Sequence, residues 1–398
     1  EIYTIKGYYP TIGIECHVQL KTKTKLFSSV SNEARGAEPN ALVNQVCFGM
    51  PGALPVLNGE AVKLACKAAF ALGTEPATHS TFDRKHYFYP DLPKGYQISQ
   101  FDQPIIANGF ITIHLDDGST KDIAITRAHM EEDAGKSTHP VGADYSLVDL
   151  NRAGTPLLEI VSEPEIHSAS EAKAYAKELW LRMKYAGVSD VDLCHGNMRF
   201  DVNVSVNKQA DQLGTRSETK NLNSFKSVER AVLYEIDRQS ELLEKGENVI
   251  QETRGWLDDK QKTVSQRSKE DAHDYRYFPD PDIPPIVLEK TDIEAIKSDL
   301  PIMPQEWRAK LHACGIDKQL IETLLEIDVE FDANCLELLS SSESNAKTFA
   351  NWIVNIEAPL RRKALEERNE LFIDSEKRKH IFTGINTLAT SGKLSSNN

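Results

Sequence analysis

Acidic side chains and one histidine are spaced in this sequence as ligands of a divalent cation would be. Glu15 and His17 are two residues apart in an alternating segment. Side chains alternate between the faces of a strand, so both leave the same face, roughly 7 Å apart at Cα. A carboxylate and an imidazole at that spacing could ligate one divalent cation. A solvated strand face has the same pattern, so the motif needs support from other residues.

Further acidic positions supply that support. Glu131, Glu132 and Asp133 are consecutive, and such charges repel one another unless a cation or a basic side chain lies among them. An exposed acidic turn is the alternative for this cluster. Glu159 is embedded in the otherwise apolar segment 156–161, where a carboxylate must be paired, ligated or neutralised. Asp201 and Glu218, each with an Arg or Lys close by in the sequence, complete the set.

Carboxylates with one histidine are typical ligands of Mg²⁺, which usually bridges the phosphates of a nucleotide. The sequence contains neither a Gly-x-x-x-x-Gly-Lys-Ser/Thr loop nor a Gly-x-Gly-x-x-Gly turn, so an ATP site would be of another type. Segments 83–96 and 275–280 interleave cations with aromatic residues. That mixture could hold phosphates and stack on bases, and a packed aromatic loop is the alternative.

The elements that must position these residues can be read from periodicity. Residues 11–20 and 198–206 alternate apolar with polar, which predicts strands with one buried face in a largely antiparallel sheet. A helix is predicted from Ser168, with Glu171 completing a capping box, to Gly187. A second helix is predicted from about Ser227 to Lys245. The expected fold class is therefore α+β.

Composition limits the remaining possibilities. Prolines at 281, 284 and 285 place a domain boundary near residue 290, and helical spacing beyond it predicts a helical bundle. No apolar run reaches the roughly 20 residues of a membrane span, and the six scattered cysteines fit a reducing compartment. The net charge of −14 argues against an RNA-binding surface that works by phosphate neutralisation alone.

At these same residues the chain resembles the B subunits of aspartyl/glutamyl-tRNA(Asn/Gln) amidotransferases over essentially its whole length. The matching runs are 12–22, 82–91, 96–104, 129–136, 151–164, 220–225 and 274–279. The resemblance implies a cradle-like catalytic domain over residues 1–290 and a helical domain over 291–370. Residues 371–398 would begin a tail domain that binds tRNA and that is cut short here.

The resemblance also implies a reaction. ATP and Mg²⁺ would serve to phosphorylate the side-chain carboxylate of Glu-tRNA(Gln) or Asp-tRNA(Asn), and ammonia would then displace phosphate to give Gln-tRNA(Gln) or Asn-tRNA(Asn). Ammonia would come from a glutaminase A subunit through a channel, with a small C subunit completing a heterotrimer. The bacterial cytoplasm is the expected compartment, with an organelle matrix as the alternative.

Residues matching the family's motifs carry the implied roles. The implied metal ligands are Glu15, His17, Glu132, Glu159, Asp201 and Glu218. Glu132, Asp133 and Lys85 are the catalytic candidates, and Lys85, Lys94, Lys136 and Arg152 are the candidates for phosphate or channel contacts. Many members bind zinc through two early cysteine pairs, of which only Cys47 is present here, so we expect no zinc.

Two rivals from other classes remain open from the residues alone. A non-catalytic tRNA-binding scaffold would bind tRNA without turning over ATP. A metal-dependent phosphodiesterase would use the same carboxylates in a two-metal site and would cleave RNA without ATP.

Overall fold

The largest element of the fold is a mixed sheet to which most strands contribute. In the computed structural model, residues 4–268, 274–327, 333–342, 345–367 and 373–393 are described. The strands are β1 (Tyr9–Gln19), β2 (His79–Ser80), β3 (Asp83–His86), β4 (Tyr96–Ser99), β5 (Gly109–His114), β6 (Thr120–Glu132), β7 (Lys136–Thr138), β8 (Leu147–Asp149), β9 (Pro156–Ser162), β10 (Met198–Asn207), β11 (Ser217–Leu222), β12 (Glu252–Leu257), β13 (Lys262–Ser268), β14 (Phe278–Pro279) and β15 (Ile286–Val287).

Helices lie between the strands and dominate the end of the chain. They are α1 (Gly59–Ala71), α2 (Ala169–Tyr185), α3 (Phe225–Glu244), α4 (Lys290–Ser298), α5 (Pro304–Ala313), α6 (Lys318–Glu326), α7 (Ala333–Ser340), α8 (Ala346–Trp352), α9 (Ala358–Glu366) and α10 (Ser375–Thr390). A π-helical turn, Ile353–Glu357, joins α8 to α9. Within the described ranges, no helix is both long enough and apolar enough to cross a membrane.

The main sheet has eight strands in the order β13-β12-β11-β10-β1-β9-β6-β5. Neighbouring strands are antiparallel except β11 and β12, which are parallel. A mostly antiparallel sheet combined with helices confirms the α+β prediction. Three smaller sheets accompany it: β14-β3-β4, β15-β2 and β7-β8.

Alternation decides which face of the main sheet is buried. In β1 the side chains of Ile12, Ile14, Cys16 and Val18 are buried, whereas Glu15 and His17 are half-buried on the other face. Helices α2 and α3 pack together against the apolar face, where the ring of Phe225 meets those of Trp180 and Phe200 at 5.7 and 6.4 Å between centroids. The two predicted strands are confirmed as β1 and β10.

Both predicted helices are present, with one change at a boundary. The Ser168 hydroxyl caps α2 by accepting the Glu171 N–H at 3.1 Å, while the Glu171 carboxylate accepts the N–H of His167 rather than that of Ser168. Helix α3 begins at Phe225, earlier than the predicted Ser227, because Ser224 is its N-cap and accepts the Ser227 N–H at 2.9 Å.

The chain divides into two compact units, Glu1–Pro301 and Ile302–Asn398. The first unit extends past the proline-rich segment and includes α4. The second unit is helical, and the carboxylate of Glu357 is buried within it between the guanidinium groups of Arg361 and Arg378, at 2.9 and 2.7 Å. The boundary expected at residue 370 lies outside the described residues.

A buried acidic side chain ties α3 to the sheet, and its removal tests that attachment. The Glu235 carboxylate is fully buried and accepts bonds from Ser217 and Thr263, with Arg238 and Arg254 as ion-pair partners. We expect Glu235→Ala to lower the free energy of unfolding by about 3 kcal/mol, because Arg238 loses this carboxylate partner and the Ser217 and Thr263 hydroxyls lose their buried acceptor. Urea denaturation monitored by circular dichroism measures this loss in the free energy of unfolding.

Glu241→Ala is the matched control on the same helix, because this carboxylate is exposed and its ion-pair partner Lys6 is exposed as well. Its urea midpoint should equal that of the unchanged chain. Equal midpoints for Glu235→Ala and Glu241→Ala would contradict the role assigned to the buried network.

Candidate metal centre

Strand register gathers the acidic residues on the open face of the main sheet. Glu15 lies opposite Asp201 of β10, and His17 lies opposite Glu159 of β9. Glu159 in turn lies opposite His129 of β6. Residues that face each other across neighbouring strands project to the same side of a sheet, so four strands place these side chains on one surface.

His17, Glu131 and Glu159 form the first acidic group. One ligand atom of each lies within 4.8 Å of the others. The His17 Nε2 atom is 3.5 Å from a Glu131 oxygen and 3.7 Å from a Glu159 oxygen. No contact closer than 3.5 Å joins His17 to the two carboxylates, so the three side chains could hold a divalent cation between them.

His129 lies behind the first acidic group. Its Nε2 atom is 3.0 Å from Glu159 and 3.4 Å from Glu131. Burial lowers the pKa of His129, but its bonds to Glu131 and Glu159 outweigh that effect and raise the pKa to about 9. Burial raises the pKa of the Glu159 carboxyl, and His129, His17 and Lys85 together bring it well below its usual range. Protonated His129 thus balances negative charge of Glu131 and Glu159, which a bound metal ion would also balance.

Glu15, Asp201 and Glu218 form the second acidic group, with ligand atoms again within 4.8 Å of one another. The Lys220 ammonium is 3.2 Å from Asp201 and 3.5 Å from Glu218. Burial, followed by the charges of Glu159, Glu218 and Asp201, raises the pKa of Glu15 to about 7. One lysine therefore does not relieve the repulsion among these carboxylates, so the group fits a bound cation, and its oxygen donors suit Mg²⁺ or Mn²⁺.

Neighbouring polar side chains orient the second acidic group. The Thr253 hydroxyl donates to Glu218 at 3.0 Å, and the Asn203 amide donates to Glu15 at 3.4 Å. Such bonds fix the direction in which a carboxylate presents its free lone pairs.

Glu132, predicted as a metal ligand, lies outside both acidic groups. Its carboxylate pairs with the Lys94 ammonium and accepts the Ile98 N–H at 3.1 Å. Adjacent residues of a strand face opposite sides, so only one of Glu131 and Glu132 can face His17, and β6 turns Glu131 that way.

The next candidates, and the remaining early cysteine, do not belong to either acidic group. Asp133 pairs with Arg199 at 3.1 Å and with Arg152 at 3.3 Å, and Arg152 also donates to the backbone oxygens of Ala134 and Gly135. Lys136 is exposed in β7, outside both groups. Cys47 is buried and lies 3.3 Å from the Lys25 ammonium.

Lys85 is a cation beside the first acidic group. Its ammonium lies 4.5 Å from the centre of the Tyr275 ring. Burial lowers the pKa of Lys85, but the charges of Glu131, Tyr277, Tyr275 and Glu159 outweigh burial and leave the pKa raised. Lys85 therefore stays charged at neutral pH and faces the site.

The ligand set predicted from the sequence omitted Glu131 and His129. A signal for both was present, because His129 and Glu131 repeat the two-residue spacing of Glu15 and His17. Sequence spacing could not show that β1 and β6 both pair with β9. That pairing brings the Glu15–His17 motif and the His129–Glu131 motif together.

The fold is thus a mostly antiparallel sheet whose open face carries two groups of acidic side chains that could each hold a divalent cation. Residues 10–294 match the family described as "GatB/GatE catalytic domain". The chain is 50% identical over 351 residues to the B subunit of the aspartyl/glutamyl-tRNA(Asn/Gln) amidotransferase of Coxiella burnetii (strain RSA 493 / Nine Mile phase I), covering 86% of this chain and 72% of that protein.

Two other bacteria have similar proteins of the same name. The B subunit of Carboxydothermus hydrogenoformans is 44% identical over 398 residues, covering 98% of this chain and 81% of that protein. The B subunit of Trichodesmium erythraeum is 45% identical over 398 residues, covering 97% of this chain and 80% of that protein. The chain therefore belongs to the family of amidotransferase B subunits.

Manganese binding distinguishes the two neighbouring glutamates. We expect Glu131→Gln to weaken Mn²⁺ binding at the first acidic group by at least about tenfold, because a charged ligand is lost. Glu132→Gln is the matched control and should leave Mn²⁺ affinity unchanged, because its side chain faces Lys94. Calorimetric titration with Mn²⁺ measures the affinity of both variants. Weaker binding in Glu132→Gln alone would contradict the assignment.

The raised pKa of Glu15 predicts a pH dependence at the second acidic group. Below pH 7 Glu15 is protonated and must lose its proton before it ligates a cation. In the Glu131→Gln variant, which isolates this group, Mn²⁺ affinity should fall by up to about tenfold per pH unit below pH 7. Adding Glu15→Gln should flatten that dependence. A constant Mn²⁺ affinity of the Glu131→Gln variant from pH 5.5 to 8 would contradict the predicted pH dependence.

Proposed function

We propose that this chain uses ATP to phosphorylate the side-chain carboxylate of Glu-tRNA(Gln), Asp-tRNA(Asn) or both, and then transfers ammonia to it. The observation that carries the proposal is the pair of acidic groups side by side on one sheet face, in a chain whose relatives are named as amidotransferase B subunits. Phosphoryl transfer to a carboxylate brings several negative charges together, and such a face suits that chemistry.

The two acidic groups would each hold one Mg²⁺ ion. His17, Glu131 and Glu159 would bind the first, and Glu15, Asp201 and Glu218 the second. When bound, these ions neutralise charge on the phosphate and carboxylate oxygens as it develops. Glu132, which the sequence also placed among the ligands, is proposed here for a proton-transfer role instead.

Side chains at the rim of the metal centre would handle the reactants. The substrate carboxylate oxygen attacks the γ-phosphorus of ATP, and ADP leaves. The charged Lys85 beside the first acidic group would orient the phosphoryl oxygens. Arg152 is held by backbone oxygens and by Asp133, which gives it the rigid geometry that phosphate recognition needs. Lys136, exposed in β7, would contact phosphate from the rim.

Ammonia transfer follows from the acyl phosphate. The ammonia nitrogen bonds to the activated carbonyl carbon, phosphate leaves with the bonding electron pair, and one proton must be removed from nitrogen. The Glu132 carboxylate, paired with Lys94, is our proposed acceptor for that proton. Asp133, held between Arg152 and Arg199, would keep this edge of the site rigid.

The proposal includes partners and surroundings. A glutaminase A subunit would supply ammonia through a channel that passes Lys94, and a small C subunit would complete the heterotrimer. Residues 1–290 would act as the catalytic cradle, 291–370 as a helical domain and 371–398 as the start of a tail that contacts tRNA. We expect no bound zinc, and place the reaction in the bacterial cytoplasm, with an organelle matrix as the alternative.

Amidation by the assembled complex tests this function. The complex receives ATP, Mg²⁺, glutamine and Glu-tRNA(Gln) or Asp-tRNA(Asn), and amidated tRNA is quantified. Glu159→Gln should lower kcat by roughly 100-fold or more, because a buried charge next to the phosphoryl group is lost. Glu163→Gln is the matched control, since Glu163 bonds Thr126 outside both acidic groups.

Three results would contradict the proposal. Normal amidation by Glu159→Gln would remove the metal centre from the reaction. Binding of tRNA without ATP turnover in the unchanged complex would favour the scaffold. Cleavage of RNA in the absence of ATP would favour the phosphodiesterase.

A further inference from the structure

A lysine and a cysteine that belong to neither acidic group meet inside the first compact unit. Lys25 is 1% exposed and Cys47 is 8% exposed, and the Lys25 Nζ atom donates to the Cys47 Sγ atom at 3.3 Å. The thiol is free of any disulfide. Neither the metal centre nor the proposed phosphoryl transfer uses this pair. A buried amine in contact with a buried thiol brings together two groups that an oxidant could join.

The fold holds the Lys25 side chain against the thiol. Its Nζ atom also donates to the backbone oxygen of Leu42 at 2.7 Å and to that of Leu150 at 3.4 Å. Gly154 has φ +88°, and a Cβ atom there would lie 3.3 Å from the Lys25 Cδ atom. Glycine at this position therefore leaves room for the lysine stem. The contact between nitrogen and sulfur is thus supported from several sides.

The surroundings of Lys25 favour its neutral form. Its three acceptors are two carbonyl oxygens and a thiol, and none of these groups is a carboxylate. Burial lowers the pKa of Lys25, and the opposing effects of Cys47, Glu132 and Asp149 do not restore it. A lowered pKa increases the fraction of neutral amine. Only the neutral amine has the free lone pair that an attack on sulfur requires.

A small cavity lies beside the pair. It has a volume of about 20 Å³, and Lys25, Cys47 and Ser28 line it together with Lys94 and Glu132. That volume admits a molecule slightly larger than one water, and hydrogen peroxide is larger than water by one oxygen atom. The buried Ser28 hydroxyl has no hydrogen-bond partner within the described ranges, so a small polar molecule in the cavity could bond to it.

We propose that Lys25 and Cys47 are a redox-sensitive pair, which hydrogen peroxide converts into a covalent link between the Nζ and Sγ atoms, a sulfenamide. This proposal adds a modification site to the chain. The oxidant is hydrogen peroxide, and a thiol such as dithiothreitol would reverse the link by attacking sulfur and releasing the amine.

The link forms in two steps. The Cys47 sulfur attacks one peroxide oxygen, the O–O bond breaks, and the released hydroxide takes the thiol proton and leaves as water. Sulfur has then lost two electrons and is a sulfenic acid. The Lys25 nitrogen attacks this sulfur, the S–O bond breaks, and the hydroxyl group leaves with a proton from nitrogen as a second water. One peroxide is consumed for each link.

The link would also affect the proposed ammonia transfer, because Lys94 and Glu132 line the same cavity. Drawing the Lys25 Nζ atom onto sulfur breaks its bonds to the Leu42 and Leu150 oxygens, and so disturbs the wall of that cavity. We therefore expect the linked form to amidate tRNA more slowly. This effect on activity rests on the proposed function, whereas the link itself does not.

Peptide mass mapping tests the link. The assembled complex is treated with hydrogen peroxide, free thiols are alkylated, and tryptic peptides are measured by mass spectrometry. We expect a cross-linked pair of peptides that joins Lys25 to Cys47, is lighter than the two free peptides by two hydrogen atoms, and disappears after dithiothreitol. Lys25→Arg and Cys47→Ser should each abolish it, because a guanidinium stays charged and a hydroxyl forms no sulfenic acid.

Two other cysteines are the matched controls. Cys66 is buried in α1, and Cys194 is exposed. Cys66→Ala should form the link between Lys25 and Cys47 to the same extent as the unchanged chain. Cys194 should be oxidised to sulfinic acid without a cross-link to lysine.

Amidation is a second and separate readout. Peroxide should slow amidation by the unchanged complex in proportion to the linked fraction, and dithiothreitol should restore the rate. A complex with Cys47→Ser should resist this inhibition. A link that leaves the amidation rate unchanged would overturn the effect on activity.

Other outcomes would overturn the link itself. Oxidation of Cys47 to sulfinic acid with no cross-link would do so, and a cross-link that retains an added oxygen atom would contradict the direct bond between nitrogen and sulfur. If the complex forms the link but never amidates tRNA, even before peroxide is added, the proposed function fails and the link stands.

Discussion

Repulsion among five carboxylates on one sheet face is the constraint that shapes the catalytic unit. Glu131 and Glu159 lie on the two strands to one side of β1, Glu15 lies on β1 itself, and Asp201 and Glu218 lie on the two strands to the other side. Like charges at this separation cannot all remain ionised without counter-charge. Burial raises the pKa of Glu15, and the charges of Glu159, Glu218 and Asp201 raise it further against the opposing charge of Lys220, so part of the repulsion is left unbalanced. Bound cations would remove it, so the electrostatics and the proposed chemistry make the same demand.

The fold holds this arrangement by fixing strand register. A shift of one residue would turn every acidic side chain of a strand to the opposite face. In β1 and β10 that opposite face is apolar and buried, and α2 and α3 cover it, so a slip would bury charge and expose the core. Irregularities in register occur between Ile125 and Arg127 of β6, ahead of Glu131, and between Phe200 and Val202 of β10, on either side of Asp201. Bulges of this kind re-aim side chains near active sites.

Local pattern was sufficient to predict part of this site. Alternation identified β1 and β10 and the face on which Glu15, His17 and Asp201 lie, because the period of a strand is local information. It could not distinguish Glu131 from Glu132, since that choice depends on the pairing of β6 with β9. It also could not show that residues 278–279 pair with β3 and so bring the two aromatic segments together. Both are contacts between distant parts of the chain.

Anomalous diffraction from crystals of the complex grown with Mn²⁺ and a non-hydrolysable ATP analogue would locate the cations that we propose for these carboxylates. We predict two manganese peaks on the open face of the sheet, one among His17, Glu131 and Glu159 and one among Glu15, Asp201 and Glu218. The analogue's phosphates should lie against both. Peaks elsewhere in the chain, or phosphates bound with no manganese at these carboxylates, would contradict the two-cation site.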